Sequence, residues 1–170
     1  CHEHVTYYTL TTFNNLIKKH DLKIVDFSFN EINGGSVEIV CSRKSNKSQS
    51  EHKLLKKYLD DEKRITKSSY EKFNQRIENT KNNINQILDL IGNKNDVIGY
   101  GASTKGNIVL NHCNLSYKRI SYICDANPFK FKKFTPGSNI EIISKKKMRI
   151  LKPKYLLVLI WSFREEVIKQ

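Results

Sequence analysis

Apolar residues recur along the chain with spacings that change from region to region, and each change marks a new kind of element. Phe13, Leu16 and Ile17 fall on one face of a helix that Thr11 or Thr12 is placed to cap and that ends near Lys19-His20. Residues 22–29 then alternate as a strand, with Leu22 and Ile24 followed by Val25, Phe27 and Phe29, and residues 36–41 alternate through Val37, Ile39 and Cys41. Asn33-Gly34-Gly35 between them suits a hairpin turn. Residues 42–51 contain no apolar side chain and read as a linker. Helical spacing returns at Leu54, Leu55, Tyr58 and Leu59, and again at Tyr70, Phe73, Ile77, Ile84, Ile87, Leu88 and Ile91. Ser68-Ser69-Tyr70-Glu71 has the form of a capping box and Gly92 supplies a C-terminal stop. This region predicts a bridging helix pair or one long kinked helix whose stripe packs into a core or between domains.

From Asn95 onward strands and helices alternate. Strands are predicted over 96–100, 119–125, 140–143 and 155–160, and helices over 104–113, 144–150 and 163–169. This alternation implies a parallel sheet with crossover helices, so the fold class is α/β. Ligands in such sheets sit at the carboxyl ends of the strands, which gathers residues 101–107, 125–127 and 161–163 along one edge.

Composition narrows the setting. The 170 residues are 38% hydrophobic and 28% charged, without a window resembling the roughly 18 to 20 apolar residues of a membrane span or a secretory signal, so a cytoplasmic protein that does not engage membrane is expected. Cys1, Cys41, Cys113 and Cys124 stand far apart with no Cys-x-x-Cys pair, which argues for buried free thiols and against structural zinc or disulfides. The formal net charge is +13, and residues 129–154 alone carry nine Lys or Arg against Glu141. No helix-turn-helix, RNP or zinc-finger pattern accompanies that charge, so solvated lysine surface is expected and nucleic acid is not an expected partner. The chain opens on Cys1 and closes inside a helical pattern, from which we expect a segment of a longer protein, cut at both ends.

The chemistry concentrates in Gly99-Tyr100-Gly101-Ala102-Ser103-Thr104-Lys105-Gly106-Asn107, where a strand gives way to a helix. Glycines let a backbone approach an anion, and a helix opening near Ser103 or Thr104 aims free N–H groups and a positive dipole end at it. The spacing G-x-G-x-x-x-x-G is longer than the dinucleotide fingerprint, and Lys105-Gly106 reverses the Gly-Lys of a P-loop. An ordinary strand-to-helix turn is the alternative. Asp125, 24 residues after Gly101, occupies the place where an acid meets a ribose in Rossmann-type domains, or where an aspartate caps a helix.

Several separated stretches together resemble a known family. Cys1-His2-Glu3-His4-Val5-Thr6-Tyr7-Tyr8 is similar to the Tyr-His-Glu-His-x-x-Tyr segment of S-adenosylmethionine-dependent C-methyltransferases acting on nucleotide-linked sugars. Gly101-Ala102-Ser103-Thr104-Lys105-Gly106-Asn107 resembles the Gly-Ala-x-x-Lys-Gly-Asn loop of their C-terminal domain. Asp125-Ala126-Asn127-Pro128-Phe129-Lys130, Thr135-Pro136-Gly137-Ser138-Asn139-Ile140 and Trp161-Ser162-Phe163-Arg164-Glu165-Glu166 follow in the family's order.

The resemblance implies a three-part enzyme: a zinc-binding module, a Rossmann-like methyltransferase domain and a Rossmann-like C-terminal domain that helps hold the nucleotide sugar. On that reading residues 1–44 are the terminal helix and hairpin of the class I methyltransferase domain, 45–93 the linker helices, and 94–170 a truncated Rossmann-like domain. The glycine loop for S-adenosylmethionine and the zinc cysteines would lie upstream, so no metal ligand is expected in this chain and the segment alone is expected to be inactive. The family removes a proton beside a sugar keto group, and the enolate attacks the methyl of S-adenosylmethionine. Carried over by position, His4 is the base and Glu3 its partner, with His2 and Tyr7 weaker candidates; a histidine suits the task because it titrates near neutrality. Gly101, Ala102, Ser103, Lys105, Gly106, Asn107, Asp125 and Lys130 are the expected contacts to a nucleotide-diphosphate sugar. Cys1, Lys132, Glu141 and Ser162 depart from the family's tyrosine, glycine, proline and asparagine. Two other readings compete: a non-catalytic sugar-nucleotide-binding or scaffold module, and an NAD-dependent oxidoreductase, which the glycine spacing disfavours.

Overall fold

The computed structural model describes residues 6–32 and 35–169. Its contacts divide the described chain into two compact units, over residues 6–74 and 75–169.

In the first unit, helix α1 (Leu10–Lys18) precedes an antiparallel hairpin of β1 (Leu22–Asn30) and β2 (Ser36–Arg43), and α2 (Leu55–Glu62) follows. The phase change in the apolar alternation of β1 is a bulge between Ile24 and Asp26. The extra residue lets Ile24 and Phe27, three positions apart, both turn into one core with Leu10, Ile17 and Leu55. Tyr58 packs against the same core and sets its ring 5.2 Å from that of Phe27, so α2 belongs to this unit. The helix is capped earlier than the sequence predicted. Thr9 holds the extended backbone of an N-cap and accepts from Thr12 N (3.2 Å), while Thr12 Oγ1 accepts from Thr9 N (2.9 Å).

A second device closes the same helix end. Glu62 accepts from the backbone N–H groups of Leu10 and Thr11, each at 2.7 Å, which satisfies two orphan donors and sets negative charge at the positive end of α1. Burial pushes the Glu62 pKa up, but the hydrogen bonds from Thr11 and Leu10 outweigh it and hold the carboxyl below its ordinary value. A lowered folded value means that the contribution is present above the ordinary glutamate pKa and is lost as pH falls through the folded one. Glu62→Gln is therefore expected to lower the urea stability of this unit by about 1 kcal/mol at neutral pH, with the gap to wild type closing in acid. An equal gap at both pH values would show that the charge plays no part.

Helix α3 (Lys67–Ile91) runs across the division between the units. It starts one residue before the Ser68 cap that the sequence suggested, and Gly92 ends it as expected, with φ +69° and its N–H on Leu88 O. The helix pair replaces the alternative of one kinked helix.

The second unit is the α/β domain. Four parallel strands, β3 (Val97–Tyr100), β4 (Tyr122–Asp125), β5 (Ile142–Ser144) and β6 (Tyr155–Val158), lie in the order β5-β4-β3-β6. Helices α4 (Thr104–His112), α5 (Lys145–Leu151) and α6 (Arg164–Ile168) alternate with them. Both faces of the sheet are covered, as parallel strands require. Val97, Ile123 and Ile142 turn to one side, with Leu110 of α4 and Leu88 of α3. Ile98, Tyr100, Cys124 and Ile143 turn to the other, where Met148 of α5 and Val167 of α6 pack. The unit is Rossmann-like in layer order and strand sequence.

Cys113 and Cys124 are buried free thiols and burial pushes both pKa values up, whereas Cys41 is exposed, contrary to the expectation of burial. Among the described residues, no helix is long and apolar enough to cross a membrane, and no cluster of His, Cys, Asp and Glu is arranged to hold a metal ion.

Candidate functional site

The chain builds β3, β4 and β5 outward in one direction and then crosses to the opposite side of β3 to lay down β6. The strand order reverses at β3, and the carboxyl ends of β3 and β6 therefore frame the crevice where open α/β sheets bind ligands. The loop of residues 101–103 and the start of α4 stand at this point.

Two neighbouring strands hold the loop. Gly101 N donates to Cys124 O at the end of β4 (2.7 Å), and Leu159 N, just past β6, donates to Tyr100 O (2.9 Å). Gly101 has φ +97°, and a Cβ there would run into the Ile160 side chain, so this position demands glycine both for its backbone and for its space. Ser103 caps α4: its Oγ accepts from Gly106 N (3.0 Å), with an extended backbone. Gly106 is packed closely enough that a Cβ would stand 3.0 Å from Leu159 Cβ and 3.1 Å from the capping Ser103 Oγ. The third glycine thus lets the helix start close against β6, although its spacing from Gly101 differs from the dinucleotide pattern.

Lys105 is exposed on the first turn of α4, where a cation complements a bound anion. Asn107, on the same turn, has a buried Oδ1 without a hydrogen-bond partner among the described residues, an arrangement that leaves an acceptor for a ligand donor. Asn111, one turn further on, donates from Nδ2 to Asn107 O (2.7 Å) and to Pro136 O (3.0 Å), which ties α4 to the turn of residues 135–140. In that turn Thr135 Oγ1 and Ser138 Oγ lie 2.6 Å apart, both residues are buried, and Thr135 Oγ1 accepts from Ile140 N (3.0 Å).

Asp125 and Lys130 also meet the loop. Asp125 Oδ2 accepts from Ala102 N (2.7 Å), and Lys130 Nζ donates to Ala102 O (2.8 Å) while standing 3.3 Å from Asp125 Oδ2. A cavity of about 280 Å³ opens beside them, lined among others by Tyr100, Gly101, Lys145, Ile160, Phe163 and Glu166. Lys145 Nζ lies 5.6 Å over the Tyr100 ring.

Of the residues selected from sequence, the structure brings Gly101, Ala102, Ser103, Lys105, Gly106, Asn107, Asp125 and Lys130 to one edge of the sheet. His4 and Glu3, with His2, lie outside the described residues; Tyr7 is described and exposed. Sequence reasoning missed Lys145, Ile160, Glu166 and Asn111. Lys145 follows β5 directly, so the rule that placed residues 125–127 would have found it too; Glu166 closes the Trp161–Glu166 stretch that resembles the family but was not singled out within it, and nothing in the local sequence marks Asn111. In the basic segment Lys130, Lys147 and Lys154 pair with Asp125, Glu141 and Asp96.

The sequence pattern described as "C-methyltransferase C-terminal domain" matches residues 31–170. Among curated proteins, "C-methyltransferase NovU" of Streptomyces niveus is 27% identical over 170 residues, an alignment that takes in 98% of this chain and 40% of that protein. The chain thus spans less than half the length of the relative it matches. With a match over residues 31–170 and a parallel four-stranded unit that carries the loop at its strand-order reversal, the chain belongs to the C-methyltransferase C-terminal domain family.

Proposed function

We propose that this chain is the C-terminal portion of an S-adenosylmethionine-dependent C-methyltransferase acting on a nucleotide-linked keto-deoxysugar, and that residues 101–107 hold the diphosphate of that substrate. One observation carries the binding role. The capped start of α4 opens beside a cavity at the point where strand order reverses, with Lys105 on its first turn. Helix N–H groups and dipole favour an anion there, and the lysine neutralises its charge. The adjacent cavity, with Tyr100 and Phe163 in its wall, has the mixed apolar and polar lining that the rest of a nucleotide sugar needs.

In the full-length protein, His4 removes the proton beside the sugar keto group, and Glu3 orients the imidazole and favours its protonated form. S-adenosylmethionine supplies an electrophilic methyl group when bound. Among the described residues, the first unit shows no glycine-rich loop between a strand and a helix to cradle it, Gly35 lying between β1 and β2. We therefore assign the donor site, and any zinc module, to other parts of the protein and give this unit the task of positioning the acceptor.

Calorimetry on the chain tests the binding role. A nucleoside diphosphate is expected to bind and the matching nucleoside to bind far more weakly. Lys105→Ala is expected to weaken the diphosphate about tenfold and the nucleoside little. Equal binding of nucleoside and diphosphate would remove the phosphate assignment. Diphosphate binding in a full-length protein that transfers no methyl group to any nucleotide-linked keto sugar would favour a non-catalytic sugar-nucleotide module.

A further inference from the structure

Asp125 stands at the end of the second strand of the Rossmann-like unit, where an acid commonly reads a ribose, but its carboxylate is already engaged. Oδ2 takes the Ala102 N–H at 2.7 Å and faces Lys130 Nζ at 3.3 Å, while Oδ1 takes the Asn127 N–H at 2.8 Å. The side chain is 12% exposed. Asn127 Oδ1 in turn accepts from Phe129 N (3.0 Å) and caps the short 3-10 turn Pro128–Lys130 that delivers Lys130. Lys130 completes the circuit by donating to Ala102 O at 2.8 Å. Both polar groups of the Ala102 residue are thus held, one by each member of an ion pair, immediately before the Ser103 cap.

We propose that Asp125 and Lys130 are positioning residues, a clamp that fixes the phosphate loop, and that neither is a contact to the substrate. This rests on the phosphate-binding reading of residues 101–107. The Ala102 N–H, the Asn127 N–H and the Lys130 ammonium already take three of the roughly four acceptor positions of the carboxylate, so a ribose diol bonding through both hydroxyls would displace one of them, and freeing the buried Ala102 N–H carries a desolvation cost. The pairing also has an electrostatic use. A bare carboxylate beside the loop would repel a diphosphate, and the Lys130 ammonium cancels it.

Charge and geometry make opposite predictions for Asp125→Asn, which makes the test sharp. On charge alone, removing the carboxylate would tighten anion binding. As a clamp, its loss frees the Ala102 residue and weakens binding. Inorganic pyrophosphate and uridine diphosphate, titrated calorimetrically into the chain, are expected to lose affinity by the same factor, about tenfold, in Asp125→Asn, and by a common factor again in Lys130→Gln. Amide exchange at Ala102 is expected to accelerate in both variants while Ile123, within β4, stays protected. Selective loss of uridine diphosphate with pyrophosphate unchanged would make Asp125 a ribose contact and overturn the proposal. Unchanged or tighter pyrophosphate binding would overturn it as well. If wild type binds neither probe, the phosphate reading fails by itself, and Ala102 exchange still decides the clamp: unaltered exchange in both variants removes it, acceleration upholds it. Should Asp125→Asn fail to fold, Lys130→Gln, on a half-exposed side chain, carries the same measurements.

Discussion

Gly101→Val is expected to lower the stability of the α/β unit by about 2–5 kcal/mol and to abolish diphosphate binding. Two costs combine. The left-handed φ of +97° is one that side chains with a Cβ rarely adopt, at about 1–2 kcal/mol. The added atoms would also press into Ile160, and overpacking costs about 1–3 kcal/mol. Relaxation of either strain moves the loop that carries the Ser103 cap, so binding is lost even where the fold survives. Urea unfolding followed by circular dichroism measures the first effect and calorimetry the second. The double variant Gly101→Ala with Ile160→Ala separates the causes, because trimming Ile160 relieves the clash and leaves the backbone strain. The pair is expected to be less destabilised than the sum of the single variants. Strict additivity would show that Ile160 does not enforce the glycine.

His4→Ala in the full-length protein is expected to cut methyl transfer by about a hundredfold to ten-thousandfold, the range over which a positioned general base contributes. Affinity for a nucleoside diphosphate should be unchanged, because on the proposed reading that affinity resides in residues 101–107. Glu3→Gln should cost less and alter the pH profile in a defined sense. A neighbouring carboxylate favours the protonated imidazole and raises its pKa; removing it lowers that pKa. The base must be neutral to act, so the acid limb of the rate profile should move to lower pH. Full transfer by His4→Ala would exclude the histidine as the base.

The fold was legible where spacing alone decides it. The strands and helices beyond residue 95 follow from the alternation of apolar runs with 3.6-residue periodicity, and the parallel sheet follows from that alternation. The helix start was legible to within a residue, near Ser103 or Thr104, whereas the use of the Ser103 hydroxyl as the cap on Gly106 N, in place of the substrate contact expected of it, is seen only in the structure. Thr9 was less visible than Thr11 or Thr12 because the cap depends on where the backbone turns extended, which the run of threonines does not disclose. Helix α2 looked like a linker, for its membership in the first unit rests on Leu55 and Tyr58 meeting Ile24 and Phe27, residues roughly thirty positions away. Asp125 shows the limit most clearly. Its spacing from Gly101 located it at the right strand end, but only three dimensions reveal that both its oxygens already accept hydrogen bonds from within the protein. Lys145, Ile160 and Glu166 reach the cavity from separate elements, and local pattern carries no record of that convergence.

The anchoring of the loop by both neighbours of β3 also governs when the loop comes into being. Gly101 is held by Cys124 and Tyr100 by Leu159, partners 23 and 59 positions along the chain. Contacts of such separation form late, after the entropy of closing long segments has been overcome. A chain emerging in order therefore carries residues 99–107 well before it can shape them, and on the proposed reading the anion site exists only once β6 has docked. A ligand for this loop selects the finished sheet over every partial one, and so acts on the assembly of the domain as well as on its occupancy.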